Sequence, residues 1–568
     1  MFFTKIFNVQ NFKPDKILII ALLTAFLFCL YGITWSQSHP DDMAFRPLFV
    51  PGKAPLNPGW FHKPPFHTYF NYFLSTLPIE TIGKLIHASV NSIEFTKVIW
   101  SRLLTALLFL LSILLVFQII LKSFGIFAAR IVALVFATSA GFIAYSHFLT
   151  SDIPVMFWML LAFYFSFNIL RRANLSDYIL AGFFTGIATA TKYNGLAIGI
   201  SIAVAHFLSC HSNSWRNINW KQLFLNKKIY LGLSMVVVGF VAGNPFSVLD
   251  YRTFKNDFRY NYIVTPVYDG QTGDSYQSFF WHVLEVIGFP SIIFCLIAIA
   301  FSIVWSVIKK RQQIQTQTIL LCLSVLLLYY YKFGSFPRLE TRFVLPLVPF
   351  FLIICSVLWM QLKQHKIIVT AIATIVLGYN IACDFYVGNR FLNEPRTNVL
   401  AWAKKNIPEN SSIERDSYTP SLWQASGKNL KEAVTPHVSG RERIFEQIFP
   451  NNAFIVGSED DRKSEDQQVD SYTLPELMKR KPDFIAMNSL YYDRFIEPGL
   501  KRDLYPTITN YFQKLLAEQY PYKIVFDEES KDAPSWAYPR EIDFLHNRVT
   551  ILKAIHFENG TKLIKLIY

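Results

Sequence analysis

KILIIALLTAFLFCLYGITWSQSHPDDMAFRP, residues 16–47, decides how the whole chain is read. After Lys16, no charge appears until Asp41 and Asp42. An apolar run of about 20 residues is what an α-helix needs to cross a bilayer. The acid pair then stands where water begins. Acids flank membrane segments for that reason alone, so this pair gains meaning only from what else reaches the same surface.

The rest of the chain has the same character. It is 52% hydrophobic and 17% charged, with 53 Phe among 568 residues, whereas soluble domains carry about 25% charged residues. The apolar excess ends near Asn389, after which charge, Pro, Asn and Ser return. Two domains follow: a transmembrane domain over residues 1–388 and a soluble domain over 389–568, long enough for its own core. All six cysteines (Cys29, Cys210, Cys295, Cys322, Cys355 and Cys383) lie in apolar runs. That excludes a disulfide framework and a CxxC metal site. The net charge of +14 does not indicate nucleic acid, because much of the basic excess sits in short loops between apolar runs. The first run is too long for the core of a cleaved signal peptide, and no small-residue cleavage site follows it.

About eleven segments are apolar enough to span: Lys16–Trp35, Val98–Leu121, Ile126–His147, Ile153–Leu170, Tyr178–Thr191, Gly195–Cys210, Ile229–Val248, Trp281–Ile308, Thr318–Tyr331, Phe343–Leu362 and Ile367–Tyr386. Alternate loops are short and basic, with Lys122, Arg171, Arg172, Lys227, Lys228, Lys309, Lys310, Lys363 and Lys366. Basic loops face the cytoplasm. The N-terminus is then cytoplasmic, and an odd number of spans places the C-terminal domain outside. The external loops are the longer ones: 36–97, 249–280 and 332–342.

Charged residues from several loops reach that external face. Asp41 and Asp42 open loop 36–97. His62, Lys63 and Pro64-Pro65 interrupt it, and Phe66, Tyr69, Phe70, Phe73, Leu74 and Leu77 then have the spacing of a short helix lying on the membrane. "SHFLTSDIP" puts Asp152 at the junction of the third and fourth spans. "TATKYNG" puts Lys192 at the end of the fifth, and "FPRLETRFVLPLVP" brings Arg338, Glu340 and Arg342. Ionisable groups at membrane depth are expensive, and they are usually paired or functional.

"HPDD" followed by "HKPPFHTYF", then "TSDIP", "ATKYNG", "GNPFSVLD" and "RFVLPLVPF" in this order, resemble the GT-C membrane glycosyltransferases of the protein O-mannosyltransferase and lipid A aminoarabinose transferase type. The resemblance extends into the tail through "EPRTNVLAWAKKNIPENSSI" and "KPDFIAMNS". It implies a polytopic α-helical membrane protein with about 11 transmembrane helices and a C-terminal external α/β domain. It also implies an inverting transfer of a hexosyl or pentosyl group from a polyprenyl-phosphate sugar. The acceptor it implies is a glycolipid, lipopolysaccharide, cell-wall polymer or protein at the external face of the plasma (inner) membrane. By position, the resemblance makes Asp41 the acceptor-activating acid, Asp42 its partner and Asp152 a further catalytic acid. Lys63, Lys192 and Arg342 fall at family positions, and with Arg338, four residues before Arg342, they are expected to bind the donor phosphate. The aminoarabinose transferase has Glu, at a metal site, where this chain has His62; imidazole also ligates zinc. No other cofactor is required. The expected partners are the lipid-linked donor, the acceptor and membrane lipids.

The tail independently reads as α/β. "AFIVGS", "DFIAMNS", "YKIVFDE" and "VTILKA" have the character of strands, and "LPELMKRK" and "TITNYFQKLLAEQ" that of helices. A transporter or flippase would share the spans and buried charges, but it usually shows internal repeats, and none is visible here.

Overall fold

The computed structural model describes residues 15–35, 42–210, 220–264, 275–308, 314–337, 339–422, 428–440, 443–444, 447, 459–540, 542, 545 and 547–555. Asp41, Arg338 and the strand expected at 453–458 lie outside these residues.

Six described helices are long and apolar enough to cross a membrane: Val90–Ser123, Asp152–Arg172, Trp220–Gly243, Ile314–Gly334, Thr341–Leu362 and Lys366–Asn406. Ile126–Ala137 and Ala140–Ser146, bent by 53° at Thr138–Ser139, make up to seven. The chain is a multi-pass membrane protein. The other four segments read as spans are helical and shorter. Lys16–Leu30 is capped by Asp15, whose side chain accepts from the Ile17 and Leu18 amides. Leu175–Thr191 has 17 residues. The segment beginning at Gly195 starts as a 3₁₀ turn, Tyr193–Gly199, before Ile200–Ser209 becomes α-helical. The segment around 281–308 breaks at Gly288, whose φ of +77° ends Ser278–Ile287 before Phe289–Ile308 begins.

Two helices set the level at which Lys192 and Asn244 emerge. Leu175–Thr191 and Lys227–Gly243 pack through glycine. A Cβ on Gly182 would lie 1.8 Å from the Gly232 oxygen, one on Gly186 2.3 Å from the Val236 oxygen, and one on Gly243 2.6 Å from the Ala190 Cβ. The contact positions advance together along both chains, so the helices are parallel. The seam admits no side chain, and it fixes their register. Both helices therefore end at the same level, at Thr191 and Gly243.

The helix expected after Pro65 runs as Phe66–Asn71, a π-turn at Tyr72–Thr76 and Leu77–Leu85. His67, Thr68, Tyr69 and Asn71 face inward, while Phe73, Leu74 and Leu77 are exposed, the apolar outer face that an interfacial helix presents to lipid.

Residues after 394 build a five-stranded sheet in the order β2-β1-β3-β5-β4. The strands are β1 (Ser412–Arg415), β2 (Lys431–Val434), β3 (Phe484–Asn488), β4 (Tyr522–Glu529) and β5 (Arg548–Ala554). β2, β1 and β3 are parallel, and β5 is antiparallel to β3 and β4. All five residues of β3 are buried. Ile485 and Met487 join one core with Tyr491 and Phe512, and Phe484 and Ala486 join another with Val399 and Ala403. Such two-sided burial is what makes a central strand continuously apolar.

The helix Lys366–Leu392 runs past the expected domain boundary at residue 388. Glu394, just beyond it, accepts from Trp35 Nε1 at 3.3 Å and Asn547 Nδ2 at 2.7 Å, and pairs with Arg396 at 2.6 Å. The loop between β4 and β5 returns to the helices. Tyr538, Ile542 and Leu545 belong to the helical core. The Arg540 amide donates to Glu285 at 2.7 Å, and Tyr379 donates to the Trp536 carbonyl at 2.6 Å.

Candidate functional site

Asp152 opens the helix Asp152–Arg172 and is 2% exposed. A negative charge in the first turn is favoured by the helix dipole. Lys192, immediately after Leu175–Thr191, donates to Asp152 Oδ1 at 2.6 Å. The two positions are 40 residues apart, and the antiparallel packing of their helices closes the pair. Arg342 also acts electrostatically on Asp152, and it pairs with Glu340. The Phe343 ring lies beneath both cations, 5.0 Å from Lys192 Nζ and 5.7 Å from Arg342 Cζ. Three of the residues singled out in the sequence thus form one buried charged group.

Loop 36–97 is strapped to it through Leu149, three residues before Asp152. The Leu149 amide donates to Asp42 Oδ1 at 2.9 Å, and the Met43 amide donates to the Leu149 carbonyl at 3.1 Å. His67 Nε2 lies 3.2 Å from the same carbonyl, and Thr68 donates to Met43 O at 2.7 Å. The Asp42 carboxylate is therefore engaged with backbone. Arg102, 1% exposed, interacts with Asp42 and donates to the Ile33 carbonyl at 2.6 Å, holding the exit of the first helix.

Burial pushes the His67 pKa down to about 4. Neutral imidazole donates through Nε2 to Leu149 and accepts at Nδ1 from Asn71 Nδ2 at 3.2 Å. An unfolded histidine titrates near 6.5. Between pH 6.5 and 4 the unfolded chain therefore binds a proton that the folded chain refuses, and stability falls as pH falls. The loss over this window is expected to reach about 3 kcal/mol. Thermal melts in detergent from pH 7 to 4 should show this slope, and His67→Gln should make it shallower. An unchanged slope in that variant would exclude His67 as its source.

Lys63 is half-buried in the same loop. His62 Nε2 lies 3.7 Å from Asp257 Oδ1 and packs against the Tyr260 ring at 4.7 Å. These two could ligate a cation together, but no group of three metal-ligating side chains occurs among the described residues. Residues missed in the sequence complete the frame. Asp257 Oδ2 accepts from the Phe61 amide at 2.6 Å. Asp250 accepts from Lys53 at 2.8 Å and Asn57 at 2.9 Å, and these bonds hold its pKa down at about 2. Tyr193 donates to the Phe61 carbonyl at 2.6 Å. Asp250 and Tyr193 had a sequence signal, in "GNPFSVLD" and "ATKYNG"; Asp257 had none.

Residues 85–243 match the family described as dolichyl-phosphate-mannose-protein mannosyltransferase. No curated protein matches the chain by sequence. Among solved structures, apo ArnT from Cupriavidus metallidurans is 15% identical with a TM-score of 0.50, covering 94% of this chain and 97% of that one. The undecaprenyl-phosphate-bound form of ArnT gives 15% and 0.49 over the same shares. The apo oligosaccharyltransferase of Archaeoglobus fulgidus gives 12% and 0.45, covering 92% of this chain and 80% of that one. Over residues 85–243 the chain is thus similar to a membrane mannosyltransferase family, and its likeness to apo ArnT is one of fold.

Proposed function

We propose that this protein transfers a hexosyl or pentosyl group from a polyprenyl-phosphate sugar to an acceptor hydroxyl at the external membrane face, with inversion. The observation that carries this reading is the buried Asp152–Lys192–Arg342 group at the ends of apolar helices, strapped to the loop that begins with the acid pair. In the reaction, the acceptor oxygen bonds to the anomeric carbon and its proton passes to Asp41. The bond from that carbon to the phosphate oxygen breaks, and polyprenyl phosphate leaves. Asp42 fixes the loop, and Asp152 holds Lys192 in position. Lys63, Lys192, Arg338 and Arg342 stabilise charge as it develops on the departing phosphate. A cation at His62 and Asp257 would brace the loop. In this reading the chain crosses the plasma (inner) membrane eleven times, with the N-terminus in the cytoplasm. Residues 389–568 form an external α/β domain facing a glycolipid, lipopolysaccharide, cell-wall polymer or protein acceptor.

The test is direct. Purified protein is given a panel of polyprenyl-phosphate sugars, and consumption of each is measured. One sugar should be consumed with release of polyprenyl phosphate. Lys192→Ala and Arg342→Ala should each weaken carrier binding about tenfold, as expected for a charge-assisted contact worth about 1.5 kcal/mol. Full affinity in both variants would remove them from the phosphate site, and an untouched panel would sink the reading.

A further inference from the structure

The parallel glycine-seamed helices deliver two asparagines to the same level as Lys192. Asn244 directly follows Gly243, is fully buried, and has no partner for either Nδ2 or Oδ1 among the described residues. Asn194, two residues after Lys192, has both amide atoms buried and equally unpartnered. Its backbone is well held: its carbonyl accepts from Tyr329 at 2.6 Å, and the Gly195 amide donates to Lys192 O at 2.8 Å. The position for a Cβ on Gly243 lies 3.1 Å from Phe66, the residue after Lys63-Pro64-Pro65. Asn244 is thus bracketed by the Lys63 loop and the helix that ends at Lys192.

An unmet buried polar atom is costly, and Asn194 and Asn244 carry four of them, each close in sequence to a helix end at the same level. Their chemistry limits what can satisfy them. The Nδ2 groups need acceptors, but the two Oδ1 atoms need donors. A phosphodiester has acceptors only, and a polyprenyl chain has neither. A pyranose or furanose ring supplies both, because each hydroxyl donates and accepts, and a carboxamide spans two adjacent hydroxyls with its N–H and its C=O. We infer that Asn194 and Asn244 form the subsite that recognises the hydroxyl groups of the donor sugar, beside the cations assigned to its phosphate. This rests on the glycosyltransferase reading above and adds to it how the sugar is told from the bare carrier.

Two ligands separate the roles. Undecaprenyl phosphate reports the carrier site alone. Sugar-loaded undecaprenyl phosphate, carrying the sugar the wild type consumes, reports both sites. Binding of each is measured on the purified full chain. Asn244→Leu and Asn194→Ala should each lose about tenfold in affinity for the loaded lipid, the effect of one lost contact pair worth about 1.4 kcal/mol. Affinity for the bare lipid should stay at the wild-type value, which also shows that the variants are folded. Equal weakening of both lipids would overturn the subsite and assign the residues to structure or carrier. Unchanged affinity for the loaded lipid would leave water as the partner of these amides and overturn it as well. A wild type that binds neither lipid would overturn the functional reading together with the subsite.

Discussion

Asp152→Asn should abolish most transfer and destabilise the protein, and the two losses should separate when Lys192 is changed with it. The Asp152–Lys192 pair is 2.6 Å long, with side-chain exposures of 2% and 18%. Removing one partner of such a pair leaves a charge with little water around it, which typically costs about 3–5 kcal/mol. Replacing both by apolar groups of similar shape is often neutral. Asp152→Asn alone should therefore lower the melting point. Asp152→Asn with Lys192→Met should recover most of the stability, with a coupling on the order of 1–3 kcal/mol in the double-mutant cycle. Transfer should recover in neither. A double variant with near-wild-type transfer would make this pair a structural clasp and place the chemistry elsewhere.

Asp41→Asn should slow transfer by about 10²–10⁴-fold, the usual effect of losing a positioned base, or roughly 3–5 kcal/mol of transition-state stabilisation. It preserves shape and removes basicity. Asp42→Asn should cost less than tenfold. The Asp42 carboxylate accepts from the Leu149 amide and faces Arg102, so its work is to hold the loop, and an asparagine oxygen can still accept that bond. Binding of polyprenyl phosphate in Asp41→Asn controls for structural damage. If transfer by Asp41→Asn stays within a few-fold of wild type, the base must be sought at Asp152.

The apolar runs were legible because hydropathy alone marks a span, and the long helices fall where those runs lie. The short helices were less so: Gly288 and the 3₁₀ turn at Tyr193–Gly199 interrupt segments whose composition continues unbroken. Asp152 and Lys192 were each visible as charges at helix ends. Their pairing was not, because 40 residues of apolar sequence carry no record of which helices pack together. Asn194 and Asn244 lie within "ATKYNG" and "GNPFSVLD", yet neither was singled out there, since an amide becomes informative only once its partners are known to be missing. In the tail, β3 was legible because burial on both faces makes it apolar throughout. β1 and β2, "SIER" and "KEAV", were not. Their charges look like solvent-facing residues until Glu414 meets Arg480 at 2.7 Å and Arg415 meets Glu432.

The loop between β4 and β5 bears on how the protein can be taken apart. Tyr538, Ile542 and Leu545 are packed among the membrane helices, and Arg540 is anchored on Glu285. A chain cut after Leu392 would leave each fragment with a wound: three greasy side chains in water on one, and on the other a buried carboxylate deprived of its amide. Heat should accordingly melt the sheet and this corner of the helices in a single cooperative step. Any shift of the sheet would be felt first as a pull on the helix Ser278–Ile287, which touches the short turn carrying Arg342 through His282 and Thr341 at 3.0 Å. A continuous line of contacts therefore joins the tail to the charged group around Asp152.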